Sequence, residues 1–136
     1  MKILMVYANS FGYKTTTKTL EEFPEINVEK EIKQALIGFI HIEEKDEENL
    51  TKAVTKMIKN LKWAANKNNT KNIVLHSFAH LSESKADPKI TKEIFDAAEQ
   101  RLLNSDFKVW QTPFGYFLDL KVDAPGYSLA RIFKEF

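Results

Sequence analysis

Asn72-Ile73-Val74-Leu75-His76-Ser77-Phe78-Ala79-His80-Leu81-Ser82 is a short apolar run that ends in polar groups. The part up to His76 reads as a buried strand. The part beyond sets His76, Ser77, His80 and Ser82 in an apolar frame. A strand that leaves the core through a polar turn aims side chains and backbone amides at a ligand. The same residues also fit a plain strand end with two hydrogen-bonded histidines, and the stretch alone leaves both open.

Helical patterns flank this strand on both sides. Upstream, Leu50, Ala53, Val54, Met57, Ile58, Leu61, Ala64 and Ala65 share one helical face. Asn49 is placed to cap that helix, after the acidic run Glu43 to Glu48. The opposite face carries Lys52, Lys56, Lys59, Lys67 and Trp63. Such a face fits solvent, and it also fits phosphates and a stacked base. Downstream, Asp87 and Pro88 open a second helix with Ile90, Ile94, Phe95, Ala98 and Leu102 on its apolar side.

Further out, Ala35 to Ile42 is the most apolar run and reads as a central strand. Gly38 within it marks a bulge or a close approach of another backbone. Ile3 to Tyr7 reads as the first strand and Asn9 to Gly12 as a turn. Tyr13 to Thr19 is expected to pair back as a second strand, and Glu21 to Lys33 to be an exposed loop. Phe107 to Thr112 and Tyr116 to Val122 are strands joined by Pro113-Phe114-Gly115, and so short a link predicts an antiparallel pair. Asp123 to Gly126 is a turn, and a short terminal helix packs Leu129, Ile132 and Phe133. The expected architecture is α/β or α+β, a mixed sheet with three helices in one domain over residues 1–136.

Bulk composition excludes several classes. Hydrophobic residues make up 43% and charged residues 29% of the chain, as in an ordinary globular protein. The formal charge of +1 predicts no partner by itself. With no cysteine there are no disulfides, no thiol catalysis and no thiolate metal site. The apolar run at the N-terminus is too short for a signal-peptide core, and none approaches a membrane span. A cytoplasmic protein without membrane contact is the expectation.

Three of the usual chemical constellations are missing. His76 and His80 fall across a strand end, and three histidines without cysteine make a poor zinc set, so no metal and no cofactor is expected. Ser77 or Ser82 with His80 as base lacks a G-x-S-x-G elbow. The four glycines form neither a P-loop nor G-x-G-x-x-G. Pro113-Phe114-Gly115-Tyr116 can present backbone amides and an aromatic face to a planar ligand, or plug the core as a hairpin.

Taken together, these segments resemble the archaeal threonyl-tRNA synthetase N-terminal editing domain, which has the D-aminoacyl-tRNA deacylase-like fold. The likeness rests on the opening strand with Tyr13, on Gly38-Phe39-Ile40-His41-Ile42-Glu43 with Asp46-Glu47-Glu48-Asn49, on Phe78-Ala79-His80-Leu81-Ser82, and on Pro113-Phe114-Gly115-Tyr116. The last two are the specific ones. The resemblance implies hydrolysis of serine from mischarged threonine tRNA by a bound water, assisted by the neighbouring ribose hydroxyl. It implies a pocket for the 3′-terminal adenosine of an aminoacyl-tRNA, with His76, Ser77, Phe78, Ala79, Ser82, Phe114, Gly115, Tyr116, Phe117 and Leu118 binding substrate. His80 matches the family histidine that positions the substrate. A homodimer and a synthetase catalytic subunit are the implied protein partners.

This chain departs from the family pattern at charged positions. The family's catalytic lysine position is Leu118, and a glutamate of its terminal helix aligns with Arg131. Lys121 lies three residues beyond Leu118, so strand alternation puts it on the other face. Arg131 restores a positive charge, and a guanidinium stabilises an oxyanion and does not act as a base. His80 and Arg131 are therefore the expected catalytic pair. The alternative is a catalytically impaired relative that binds a nucleotide, tRNA or a synthetase. The domain is expected to be free-standing, editing in trans, or excised from a synthetase.

Overall fold

All strands in the computed structural model, which describes residues 1–136, join one sheet. They are β1 (Lys2–Lys18), β2 (Glu29–His41), β3 (Asn72–Ser77), β4 (Lys108–Gln111), β5 (Tyr116–Asp123) and β6 (Arg131–Glu135). Helix α1 (Leu50–Lys67) joins β2 to β3, and α2 (Pro88–Leu103) joins β3 to β4. The strand order is β4-β3-β2-β1-β5, with β6 also against β1. β3 runs parallel to β2 and to β4, which is why helices must make those two connections. β1 is antiparallel to β2, β5 and β6. The mixed sheet with interspersed helices is the expected fold class, with two α-helices in place of three.

Both helices start where capping chemistry places them. The Asn49 side chain accepts from the Lys52 N–H at 3.0 Å, and Asp87 accepts from the Lys89 N–H at 2.9 Å, with Pro88 in the first turn. The predicted apolar face of α1 is buried from Ala53 to Ala65 against Ile3, Met5, Leu36, Ile40, Ile73 and Leu75 of the sheet. Each fully buried Leu or Met there is worth about 1.5–3 kcal/mol over its exposed state. Gly38 marks a close approach: a Cβ there would lie 2.9 Å from Leu61 Cδ2 of α1. The other sheet face gathers Ala8, Phe11, Tyr13, Ile32, Ala35, Ile37 and Val74, with Leu118 packed against them.

The structure corrects four local expectations. First, Asn9 to Gly12 is not a turn, because β1 runs unbroken through it. Its ladder with β2 skips only Asn9, opposite Gln34, whose φ is 48°. Ala8 and Phe11, three residues apart, enter the same apolar cluster, so the ribbon twists where the sequence suggested a reversal. Second, the expected loop from Glu21 gives way to β2 at Glu29, which pairs with Lys14 across the ribbon.

Third, β4 and β5 do not form a hairpin. β4 pairs with β3 and β5 with the far half of β1, at opposite ends of the strand order. Four spacings of about 4.8 Å put roughly 19 Å between them in a flat sheet. The five steps from Gln111 to Tyr116 reach at most roughly 18 Å when extended, and Gly115 is turned at φ 85°. The sheet therefore curls, bringing the end of β1 with β5 back towards β4. Fourth, the expected terminal helix is β6, preceded by a single 3-10 turn at Ser128–Ala130. The first half of β1 had an unpaired edge, and Arg131 to Glu135 complete it opposite Lys2 to Val6.

Candidate functional site

The curl leaves a cleft of about 450 Å³ between the end of β3, the β4–β5 link and the start of β5. His76, Ser77, Phe78, Ala79 and His80 line one side, and Phe114, Gly115, Tyr116, Phe117 and Leu118 line the other. Two motifs separated by more than thirty residues in sequence thus meet at one site. Thr19 and Leu20 close it from the end of β1. Both their amides donate to the Gly115 carbonyl, at 2.7 and 3.3 Å, so the link is pinned to β1. Phe114 acts as the plug, edge-on to Phe23 at 4.8 Å and tilted against Phe95 of α2 at 6.3 Å.

His76 is the most constrained group in the cleft. Its Nδ1 lies 2.8 Å from Thr112 Oγ1, and both residues are buried. Phe39 packs edge-on to the ring at 5.2 Å and Phe78 lies at 6.0 Å. Burial pulls the imidazole down from 6.5 to about 4, so it is neutral at physiological pH. His80 is exposed at the rim, its ring 4.9 Å from Phe78.

Two expected site residues lie outside the cleft lining. Ser82 donates from its hydroxyl to Glu43 at 2.8 Å. Arg131, on β6 and opposite Val6, donates to the Pro125 carbonyl at 2.6 Å. Lys121 sits on the other face of β5 from Leu118, in a charged groove with Lys14, Glu29 and Glu31.

Three residues matter to which the sequence reading gave no role. Thr112 is the partner of His76. Lys85 is the one lining side chain with a fixed charge, and no carboxylate joins it there. His41, fully buried at the end of β2, holds the loop beyond β3. Its Nδ1 accepts from the Leu81 and Ser82 amides at 3.0 and 3.2 Å, and its Nε2 donates to the Ser84 carbonyl at 2.7 Å. Two amide donors on one nitrogen and a carbonyl on the other fix the neutral Nε2–H tautomer. The signal was present in the sequence as a polar residue set one place before the end of the most apolar run.

Next to this loop the amino-terminal ammonium is buried. It pairs with Glu43 at 2.7 Å and Asp46 at 3.0 Å. Burial alone would raise the Glu43 pKa. Hydrogen bonds from the ammonium and from Ser82, with the ammonium charge, outweigh that and hold it below the usual carboxylate range. No group of side chains is arranged to hold a metal ion.

The curled mixed sheet with its cleft has the D-aminoacyl-tRNA deacylase-like fold. The chain superposes on the c-Myc DNA Unwinding Element Binding Protein with a TM-score of 0.70, covering 100% of this chain and 99% of that one. At 12% identity that likeness is one of fold. Residues 1–136 match the Archaea-specific editing domain of threonyl-tRNA synthetase, and the chain belongs to that family. Over 135 residues it is 33% identical to the threonine–tRNA ligase of Methanosphaera stadtmanae, covering 97% of this chain. Over 139 residues it is 34% identical to that of Staphylothermus marinus, covering 98%. The chain spans 22% of the length of each of these curated relatives. The family read from Phe78 to Ser82 and Pro113 to Tyr116 is thereby borne out.

Proposed function

We propose that the chain removes serine from mischarged threonine tRNA by hydrolysing the ester at the 3′-terminal adenosine. The carrying observation is that Phe78 to His80 and Pro113 to Tyr116, from the family's two specific motifs, line one cleft, in a chain that belongs to the editing-domain family. The cleft supplies hydroxyls, two imidazoles, one ammonium and backbone amides, but no carboxylate. Such a set holds a polar ester and places a water, with the substrate's own ribose hydroxyl helping to move the proton. His80 at the rim positions the aminoacyl end. With Arg131 tied to Pro125, charge compensation at Leu118 falls to Lys85 or to neutral donors. No helix is long and apolar enough to cross a membrane. We place the activity in the cytoplasm, beside a synthetase catalytic subunit. Exposed Val122 on β5 and Phe133 on β6 favour a homodimer.

The second reading is a binding module that keeps the pocket without the chemistry. Leu118 at the family's lysine position favours it. Deacylation of seryl-tRNA and threonyl-tRNA by the purified chain separates the two. Serine is expected to be released faster than threonine and faster than without protein. Release at the uncatalysed rate by both the parent and Leu118→Lys, with tRNA still bound, selects the binding module.

A further inference from the structure

We propose that His76 is a catalytic residue of this cleft, its Nε2–H donating to the carbonyl oxygen of the bound aminoacyl ester. The proposal rests on the editing function above and names the group that takes over from the missing lysine.

The proton on the ring is placed by its neighbour. The buried Thr112 hydroxyl has one hydrogen-bond partner, His76 Nδ1 at 2.8 Å. A buried hydroxyl proton needs an acceptor, and Nδ1 is the one in reach, so Thr112 donates and Nδ1 accepts. The ring proton is then on Nε2. Nε2 has no protein partner, yet no buried side-chain nitrogen or oxygen lacks one, so Nε2 is open to the cleft that His76 lines. Phe39, edge-on at 5.2 Å, and Phe78, at 6.0 Å, pack against the ring and restrict its rotation. The result is a fixed, neutral N–H aimed into a cleft made apolar by Leu118 and the aromatic residues, where such a donor is worth most. An imidazole that stays neutral at working pH donates without losing its proton.

In the reaction the water oxygen bonds to the ester carbonyl carbon and the carbonyl oxygen takes up negative charge, which Nε2–H stabilises. The bond from that carbon to the ribose oxygen then breaks. The proton shed by the water ends on the departing ribose oxygen, so amino acid and tRNA leave with all atoms accounted for.

The test uses two variants that divide the ring's functions. His76→Asn keeps an acceptor for Thr112 and removes the cleft donor, while His76→Gln restores an N–H near the Nε2 position. In single-turnover deacylation of seryl-tRNA, His76→Asn is expected to lower the rate by a factor of ~100 to 1,000 at saturating protein. His76→Gln is expected to recover most of that loss. Equal rates for parent and His76→Asn, or an effect on KM alone, overturn the proposal. Nitrogen-15 NMR of His76 gives a readout independent of turnover, with Nε2 protonated and Nδ1 bare. The Nε2–H signal should move when a non-hydrolysable seryl-amide of 3′-aminoadenosine is added. A proton on Nδ1, or binding that leaves the Nε2–H signal unmoved, overturns the donor assignment whatever the rate. If the parent hydrolyses no ester while that signal responds, the editing function falls and His76 stands as a ligand donor.

Discussion

Acidification from pH 7 to pH 4 should weaken the fold through a single ring. Burial takes His76 from 6.5 to about 4, so between those values the unfolded chain binds a proton there and the folded chain does not. Stability therefore falls as the pH falls through that window and levels off below about 4. A difference of roughly 2.5 pKa units at 1.36 kcal/mol each makes the full loss about 3 kcal/mol. Glu43 belongs to another window, because its pKa is held below the carboxylate range and its ion pair is lost only at more acid pH. Urea unfolding of the parent and of His76→Gln at half-unit steps from pH 7 to 4 isolates the ring. The parent should lose about 3 kcal/mol more than the variant across the window. Identical pH dependence in the two proteins would refute a buried neutral His76.

The other expectations concern the cleft and its supports. Leu118→Lys should speed serine release by up to a factor of ~100 to 1,000, the scale of one charged donor, whereas Arg131→Ala should leave the rate unchanged; single-turnover deacylation reads both. Lys85→Gln should weaken tRNA binding and lower the slope of log affinity against log salt by about 1, as loss of one phosphate contact does. His41→Phe strips the Leu81 and Ser82 amides and the Ser84 carbonyl of their partner, so stability in urea should drop by at least about 2 kcal/mol. Gly38→Ala meets Leu61 at 2.9 Å and should cost about 1–3 kcal/mol, seen as a lower Tm.

Local patterns were legible in the sequence, and long-range pairing was not. The burial face of α1, the caps Asn49 and Asp87, and the β3 strand follow from spacing and side-chain chemistry within a few residues. The partner of β5 is set by an edge of β1 about a hundred residues away, so the short Pro113 link suggested a hairpin. Likewise Arg131 to Glu135 carries Ile132 and Phe133 at a spacing that fits either a helix or a strand. The open edge of β1 decided it. In the cleft, the Phe-Ala-His-Leu-Ser and Pro-Phe-Gly-Tyr residues were visible as motifs. The roles of Thr112, Lys85 and His41 were not, since each acquires its role from a neighbour brought in by the fold.

β1 waits long for two of its partners. β1 is synthesised well before β5 and β6, which cover its outer edge. At ~5–20 residues per second the edge stays bare for several seconds or more. During that time it is a template for strands of other chains. Ser10, Lys14, Thr15 and Lys18 along the half that awaits β5 give that edge polar and charged side chains. A nascent chain stalled before Tyr116 should thus be held soluble by these residues, and replacing Lys14 and Lys18 with valine should make stalled chains aggregate while the finished protein still folds.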